Sequence, residues 1–321
     1  MSKSIKIWLT VSALLVILGT TVLALTACLV GWDFTRLSSE KHETNIYDIN
    51  EDFSNISMDT DTADIFFVPS DDGKCKVVCY ENEKEKHSVS VQDGTLIIES
   101  VDLREWHEYI NFNFETMKIT VYLPKTEYTS LFIKASTGDI EVMKDFKFEN
   151  IDISLDTGDV KMFFSATETV KIATDTGDIH IEGLSAGSLD LSVSTGKVTA
   201  SDVKCDGDFK LVVSSGKSRL TNVTCKILIS NGSTGDIFLN NVIAAEKFSI
   251  ERSTGDVTFD GCDAAEIFIQ TDTGDVEGSL LSDKIFITET STGKIKVPSS
   301  VTGGKCEITT STGNIKINIK Q

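Results

Sequence analysis

Proline is nearly missing from this chain, with three in 321 residues. Pro69, Pro124 and Pro298 each follow an apolar residue, at strand ends where no ladder N–H is lost. Basic residues are also scarce. Lys and Arg number 30 against 49 Asp and Glu, a formal net charge of −19. Nucleic acid and anionic lipid both need a basic face, so nucleic acid is excluded as an expected partner. Beyond residue 135 only Arg219 and Arg252 occur. The four histidines, His42, His87, His107 and His180, lie far apart and form no zinc pattern. Seven cysteines do not make a disulfide framework. Cys75 and Cys79 point the same way along one strand but stand roughly 13 Å apart, too far to bridge. Cys205 and Cys225 fall nine residues after their glycines in neighbouring repeats. They come close enough to pair, yet small buried hydrophobes is the better reading. From residue 135 onward the 3.6-residue helical period is missing too.

What the chain has in abundance is a repeated turn. A Ser/Asp-Thr-Gly-Asp-like tetrad occurs ten times, with glycines at 138, 158, 177, 196, 216, 235, 255, 274, 293 and 313. Two residues after the glycine stands an aliphatic (Ile140, Val160, Ile179, Val198 and so on, with Ser218 the exception). Four after it comes a second apolar column, from Val142 and Met162 to Val297 and Ile317, broken by Gly278. A spacing of two is the strand period, so both columns face one side. A second strand precedes each turn, as in Ile151–Ile153, Val170–Ile172, Ile267–Ile269 and Ile285–Ile287. One such unit cannot bury its apolar face alone, so copies must stack. The expected fold is all-β: a parallel β-solenoid of about ten 19–20-residue coils over 135–321. Glycine suits a turn of positive φ, and the Thr or Ser before it is expected to hydrogen-bond from coil to coil. A leucine-rich repeat would show an Asn ladder, which is absent here, and calcium-binding nonapeptides would show paired glycines.

At the front, Lys3 and Lys6 precede an uncharged run from Ile7 to Trp32. That exceeds the roughly 20 residues needed to cross a bilayer. The lysines are expected to stay inside, giving a cytoplasmic 1–6, a transmembrane anchor 7–32 and a linker 33–45. Residues 33–321 are then extracytoplasmic at the cell membrane, with Trp32 at the interface. An alternative is a lipobox, Leu25-Thr26-Ala27-Cys28, with Cys28 lipidated. Residues 46–134 read as a less regular β cap. They contain an Asp93-Gly94 hairpin turn, and Thr62-Ala63-Asp64-Ile65 forms a degenerate tetrad without its glycine.

The tetrad at this period, the preceding strand Ile119-Thr120-Val121-Tyr122-Leu123-Pro124 and the single N-terminal anchor together resemble a bacterial family. This is the putative-adhesin family of β-strand-repeat domains, covering about 45–321. The resemblance implies a toast-rack β-solenoid in a cell-envelope protein of unknown function. It supplies no catalytic residue.

Candidate sites are few. Asp156, Asp175 and Asp272 stand in Asp-Thr-Gly triplets like those of aspartic proteases, but a repeated turn on a rod offers no cleft for a proton-sharing dyad. After the glycines runs a column of Asp139, Asp159, Asp178, Lys197, Lys217, Asp236, Asp256, Asp275, Lys294 and Asn314. A solvated ladder accounts for it. Asp156, Asp159, Asp175 and Asp178, on two adjacent turns, are the place for a calcium ion if one binds, since hard cations want clustered oxygens. Aromatics are only 8 % of the chain yet crowd into 106–114. There Trp106, His107, Tyr109 and Phe112 form either a binding surface for an envelope polymer or protein partner, or a plug over the core's end. Ile315–Ile319 runs to the chain end as an open edge, which points to end-to-end self-association. The expected function is a membrane-anchored extracytoplasmic binding or adhesion module without catalysis. A scaffold polymerising through solenoid ends is the alternative. A polysaccharide-active β-helix enzyme comes third, because the arginines such grooves carry are missing.

Overall fold

The computed structural model describes residues 3–29, 31, 41–104, 116–163 and 165–320. A helix, α1 (Lys3–Leu29), comes first, and its Ile5–Leu29 stretch, with a mean hydropathy of 2.3, is long and apolar enough to cross a membrane. Gly31 follows in a turn, its N–H donating to the Cys28 carbonyl at 3.1 Å. Trp32 lies outside the described residues. Among the described residues that follow, every regular element is a strand, about 69 % of the chain, in a parallel solenoid of roughly nine turns.

Seven strands open it: β1 (His42–Ile49), β2 (Asn55–Thr62), β3 (Asp64–Pro69), β4 (Cys75–Asn82), β5 (Glu85–Gln92), β6 (Thr95–Asp102) and β7 (Lys118–Leu123). β2 and β3 form a coil beneath the first glycine turn. β2 pairs in parallel with Glu127–Thr137, and β3 with Ile140–Val142. On their other sides run β6 and β7, also parallel. β4 then lies antiparallel against both β1 and β7, and β5 antiparallel to β6. The β5–β6 hairpin turns at Asp93 and Gly94, with φ of 49° and 72°, the left-handed pair that a two-residue hairpin requires. The degenerate tetrad behaves as a true coil. Ala63 N–H donates to the Thr137 carbonyl at 3.0 Å, and Asp64 Oδ1 accepts the Asp139 N–H at 2.9 Å.

From Gly138 onward the inward columns are continuous. Ile140, Val160, Ile179 and Val198 are buried two residues after their glycines. The strand before each turn except that of Gly293 buries its residues seven and five before the glycine, such as Leu131 and Ile133, or Val170 and Ile172. Glycine is required at Gly158 for two reasons. Its φ is 142°, and a Cβ there would sit 2.0 Å from the Gly138 carbonyl oxygen. The same close approach recurs at Gly196, 1.9 Å from the Gly177 oxygen, so stacking itself excludes a side chain. The expected hydroxyl bonds arise from a different column. Among the described residues they come from Thr174, Thr271, Thr290 and Thr310, three residues before the glycine, onto a neighbouring glycine carbonyl. The Thr directly before the glycine contributes its backbone carbonyl, as when Gly138 N–H donates to Thr157. A short amide ladder also exists: Asn222 Nδ2 donates to Asp202 Oδ1 at 2.8 Å and Asn241 Nδ2 to Asn222 Oδ1 at 2.9 Å. It sits at a second corner, where φ is 52–54°. Cys205 and Cys225 are buried free thiols, aligned with Ala244 and Ala264 in a small-residue column.

The last two coils overturn the expected edge. Val257–Thr273 pairs with Gly304–Thr312, and Val276–Leu280 with Ile315–Ile319. Lys284–Thr292 and Ile295–Lys296 then pair with the far side of those same strands. The final coil of the chain therefore slots inside the penultimate one. Ile315 and Ile317 are buried, while Ile285, Ile287 and Ile295 are 43–50 % exposed at the true end. Hydrophobicity explains the exchange. The inserted coil carries Cys306, Ile308 and Ile315 inward, and the outer one offers Phe286, Thr288 and Ile295 at the equivalent positions, so the exchange replaces Thr288 by Ile308 in the covered layer. The outer strand is also one residue out of phase with Ile267–Ile269, because Phe286 rather than Ile285 aligns with Cys306 and Ile267. A one-residue offset turns a strand's apolar set to the opposite face.

Candidate binding surface

The column after the glycines is a hydrogen-bonded ladder. Asp159 N–H donates to Asp139 Oδ1 at 2.9 Å, Asp178 N–H to Asp159 Oδ1 at 2.7 Å, and Lys197 N–H to Asp178 Oδ1 at 2.7 Å. Each carboxylate thus accepts the backbone N–H of the next coil, which offsets the repulsion of stacked charges in water. Asp236 shows the balance. Burial pushes its carboxyl up, but the Asp256 N–H and the Lys217 ammonium at 3.1 Å outweigh this and hold it below the usual range.

The sequence-predicted residues fall as follows. Asp156 and Asp175 lie on adjacent coils one residue before the paired Thr157 and Thr176. Asp175 Oδ1 accepts from the Ser194 hydroxyl at 3.2 Å. Asp159 and Asp178 each commit one oxygen to the ladder. Trp106, His107, Tyr109 and Phe112 lie outside the described residues. Cys28 is exposed at the end of α1.

Sequence reasoning missed the feature with the most chemistry. Three residues before Gly255, in a column otherwise filled by Ala135, Leu155, Val193, Val213 and the bonded threonines, stands Arg252. It is only 4 % exposed. Its neighbour across the ladder is Gly232, and a Cβ on Gly232 would lie 1.6 Å from Arg252 Nη1. The guanidinium occupies the space that this glycine leaves empty. Nη2 donates to Ser230 Oγ at 2.8 Å and Nη1 to the Val213 carbonyl at 3.3 Å, while Nε has no partner. No carboxylate pairs with it among the described residues. Burial lowers its pKa from 12.5 to about 10, so it stays charged at neutral pH. Unpaired buried charge is costly and rarely retained without a reason. Arg252 lines an open groove of about 370 Å³ across four coils, with Ser214, Ser233, Ser253 and Asp272 stacked in one column and Asn231, Glu251 and Gln270 in another. Aligning the columns behind the glycine, as well as those after it, exposes Arg252 as the one charged residue three before a tetrad glycine, beside Ser230 and Gly232.

Similar solved structures include a putative adhesin from Bacteroides fragilis, 20 % identical, spanning 88 % of this chain and 99 % of its own, with a TM-score of 0.35. A putative lipid binding protein from Parabacteroides distasonis is 16 % identical over 88 % and 98 %, with a TM-score of 0.40. A putative cell adhesion protein from Clostridium sporogenes is 14 % identical over 88 % and 100 %, with a TM-score of 0.23. At such values no ligand or partner is carried over. No curated protein matches the chain significantly. The profile of one family, Toastrack DUF4097, matches residues 53–216 and 200–321. With its glycine-cornered parallel coils and their stacked aliphatic columns, the chain belongs to the Toastrack DUF4097 family.

Proposed function

We propose that this protein is a non-catalytic binding module of the bacterial cell envelope. In this reading α1 holds it at the cell membrane, with residues 33–321 on the extracytoplasmic side, and its groove takes an acidic, hydroxyl-rich polymer. Support for the placement is the Ile5–Leu29 apolar stretch with Lys3 and Lys6 at its start. The observation that carries the binding reading is Arg252, a buried cation with no ion-pair partner among the described residues, in the wall of a groove lined by serines and amides together with Glu251 and Asp272. A ligand carboxylate would supply the missing charge, and hydroxyls spaced along a polymer match side chains repeating at about 4.8 Å. The test is titration of the full-length protein in detergent micelles with polygalacturonate, using uncharged dextran as the control. Binding of the acidic polymer that Arg252→Met abolishes is expected. Equal binding by wild type and variant overturns the reading.

The alternative, a scaffold associating end to end, has its own observation in the open edge of the outer coil. Ile285, Ile287 and Ile295 are exposed there beside unpaired strand groups, and such edges template further pairing. Light scattering of the full chain across a concentration series tests it. A monomer at every concentration would exclude it.

A further inference from the structure

The antiparallel strands at the N-terminal end enclose a second constellation, separate from the groove. Cys79 and Glu81 lie two apart on β4 and so share a face. The short β4–β5 connection folds His87 back against them. The Cys79 thiol, the Glu81 carboxylate and the His87 ring nitrogen offer three ligand atoms, all within 4.8 Å of one another, and all three residues are buried. We propose that Cys79, Glu81 and His87 form a site for a divalent transition-metal ion of the zinc type.

Three observations support this. The donor set of one thiolate, one imidazole and one carboxylate suits zinc, which accepts mixed S, N and O ligands. The ligands are also held from behind. Asn45 Nδ2 donates to Glu81 Oε1 at 2.7 Å and the His87 backbone N–H donates to Glu81 Oε2 at 2.7 Å, while the Tyr47 hydroxyl donates to the His87 carbonyl at 3.1 Å. Outer contacts of this kind orient metal ligands. Finally, Cys79, Glu81 and His87 are each at most 3 % exposed, so the enclosing shell limits the competition of bulk water for the ion.

Charge gives the physical motive. Glu81 is fully buried, with His87 as its partner at 2.8 Å. A dication bound by a thiolate and a carboxylate leaves the enclosed group neutral. Cys79 is a buried free thiol, and its ligation as thiolate would release a proton to solvent. The geometry asks for little movement. Tetrahedral N and O ligands at about 2.0–2.1 Å from zinc stand about 3.3 Å apart, so the His87–Glu81 pair opens by about half an ångström. The sulfur, within 4.8 Å of both partners, moves inward by at most about 1.3 Å.

The experiment uses full-length protein in detergent micelles, purified without a histidine tag and titrated with Co²⁺ and then Zn²⁺. One ion per chain is expected, with a near-ultraviolet thiolate-to-cobalt band that Zn²⁺ displaces. Cys79→Ala should remove the band and weaken binding at least tenfold, whereas Cys306→Ala should change neither. If Cys79→Ala fails to fold, X-ray absorption of the zinc-loaded wild type decides the matter. One sulfur at about 2.3 Å with nitrogen or oxygen at about 2.0–2.1 Å is expected. A shell of oxygen alone, or no stoichiometric ion at millimolar metal, overturns the proposal and leaves the cluster as a hydrogen-bonded His–Glu pair.

Discussion

Replacing Arg252 with methionine should make the protein more stable while disabling the groove. The magnitude follows from the side chain's surroundings. Burial lowers the guanidinium from 12.5 to about 10, which at 1.36 kcal/mol per tenfold change in proton affinity corresponds to about 3 kcal/mol. The direction works against folding. A base whose pKa is depressed in the folded state binds its proton less tightly there, so stability would rise only as pH climbs from about 10 toward 12.5. At neutral pH the whole penalty is present. Against it stand the bonds to Ser230 at 2.8 Å and Val213 at 3.3 Å, together about 1–2 kcal/mol. Methionine retains an unbranched apolar stem beside Gly232 and removes the charge, for a net gain of about 1–2 kcal/mol. Urea unfolding followed by far-ultraviolet circular dichroism should show a higher midpoint at unchanged slope. Acidic polymer at a hundred times its Kd should add about 2.7 kcal/mol to the wild type and nothing to the variant. A variant less stable by 1 kcal/mol or more would refute the reasoning and make Arg252 a structural brace.

Other outcomes follow from the coils themselves. Asp159→Asn keeps an acceptor for the Asp178 N–H and should be nearly neutral in urea unfolding. Asp159→Ala loses that acceptor and should cost about 1 kcal/mol. If a calcium ion instead held these turns, both variants would abolish a calcium-binding heat in calorimetry. Ile287→Lys, on an outward half-exposed side chain, should change stability by less than about 0.5 kcal/mol. Ile308→Ala, fully buried in the inserted coil, should cost about 2–5 kcal/mol. Burial pushes the Cys225 and Cys306 thiols from 9.0 up to about 12. The native state therefore holds these protons more tightly than the unfolded chain. The stability they confer is complete below pH 9 and falls as pH rises toward 12. Between pH 9 and 10 the loss should be about 1 kcal/mol per thiol, and Cys225→Ala should reduce it.

The repeat itself was legible because its causes are local. A glycine with φ near 140° and aliphatics two and four residues later state the turn, the strand and its buried face together. The Asp93-Gly94 hairpin is equally local. What could not be read depends on residues brought together by stacking. Arg252 makes sense only beside Gly232, twenty positions earlier, and Ser230. His87 carries no zinc spacing in the chain, because only the β4–β5 turn brings it back onto Cys79 and Glu81, and one cysteine, one glutamate and one histidine at these intervals form no recognisable ligand motif. The triplet Ile285-Phe286-Ile287 copies Ile267-Phe268-Ile269 in composition but sits one residue farther from its glycine. Counting back from Gly293 puts Phe286, not Ile285, in the inward column.

The exchanged order of the last coils also follows a rule in the ladder column. An Asp or Asn after the glycine serves the N–H of the coil stacked next, so a Lys there leaves that N–H unserved by the column. In chain order Lys294 would precede Asn314, depriving Asn314 of an acceptor and wasting Asn314's own oxygen at the end. In the observed order Asp275 Oδ1 accepts the Asn314 N–H at 2.7 Å and Asn314 Oδ1 accepts the Lys294 N–H at 3.0 Å. The lysine then stands last, where no further coil needs its acceptor. Asn314→Ala should therefore cost about 1 kcal/mol and speed hydrogen exchange at the Lys294 amide, while Lys294→Ala should leave the Asn314 amide protected. Fast exchange at Asn314 and no response at Lys294 would restore the chain order and remove the open edge at Ile285 and Ile287.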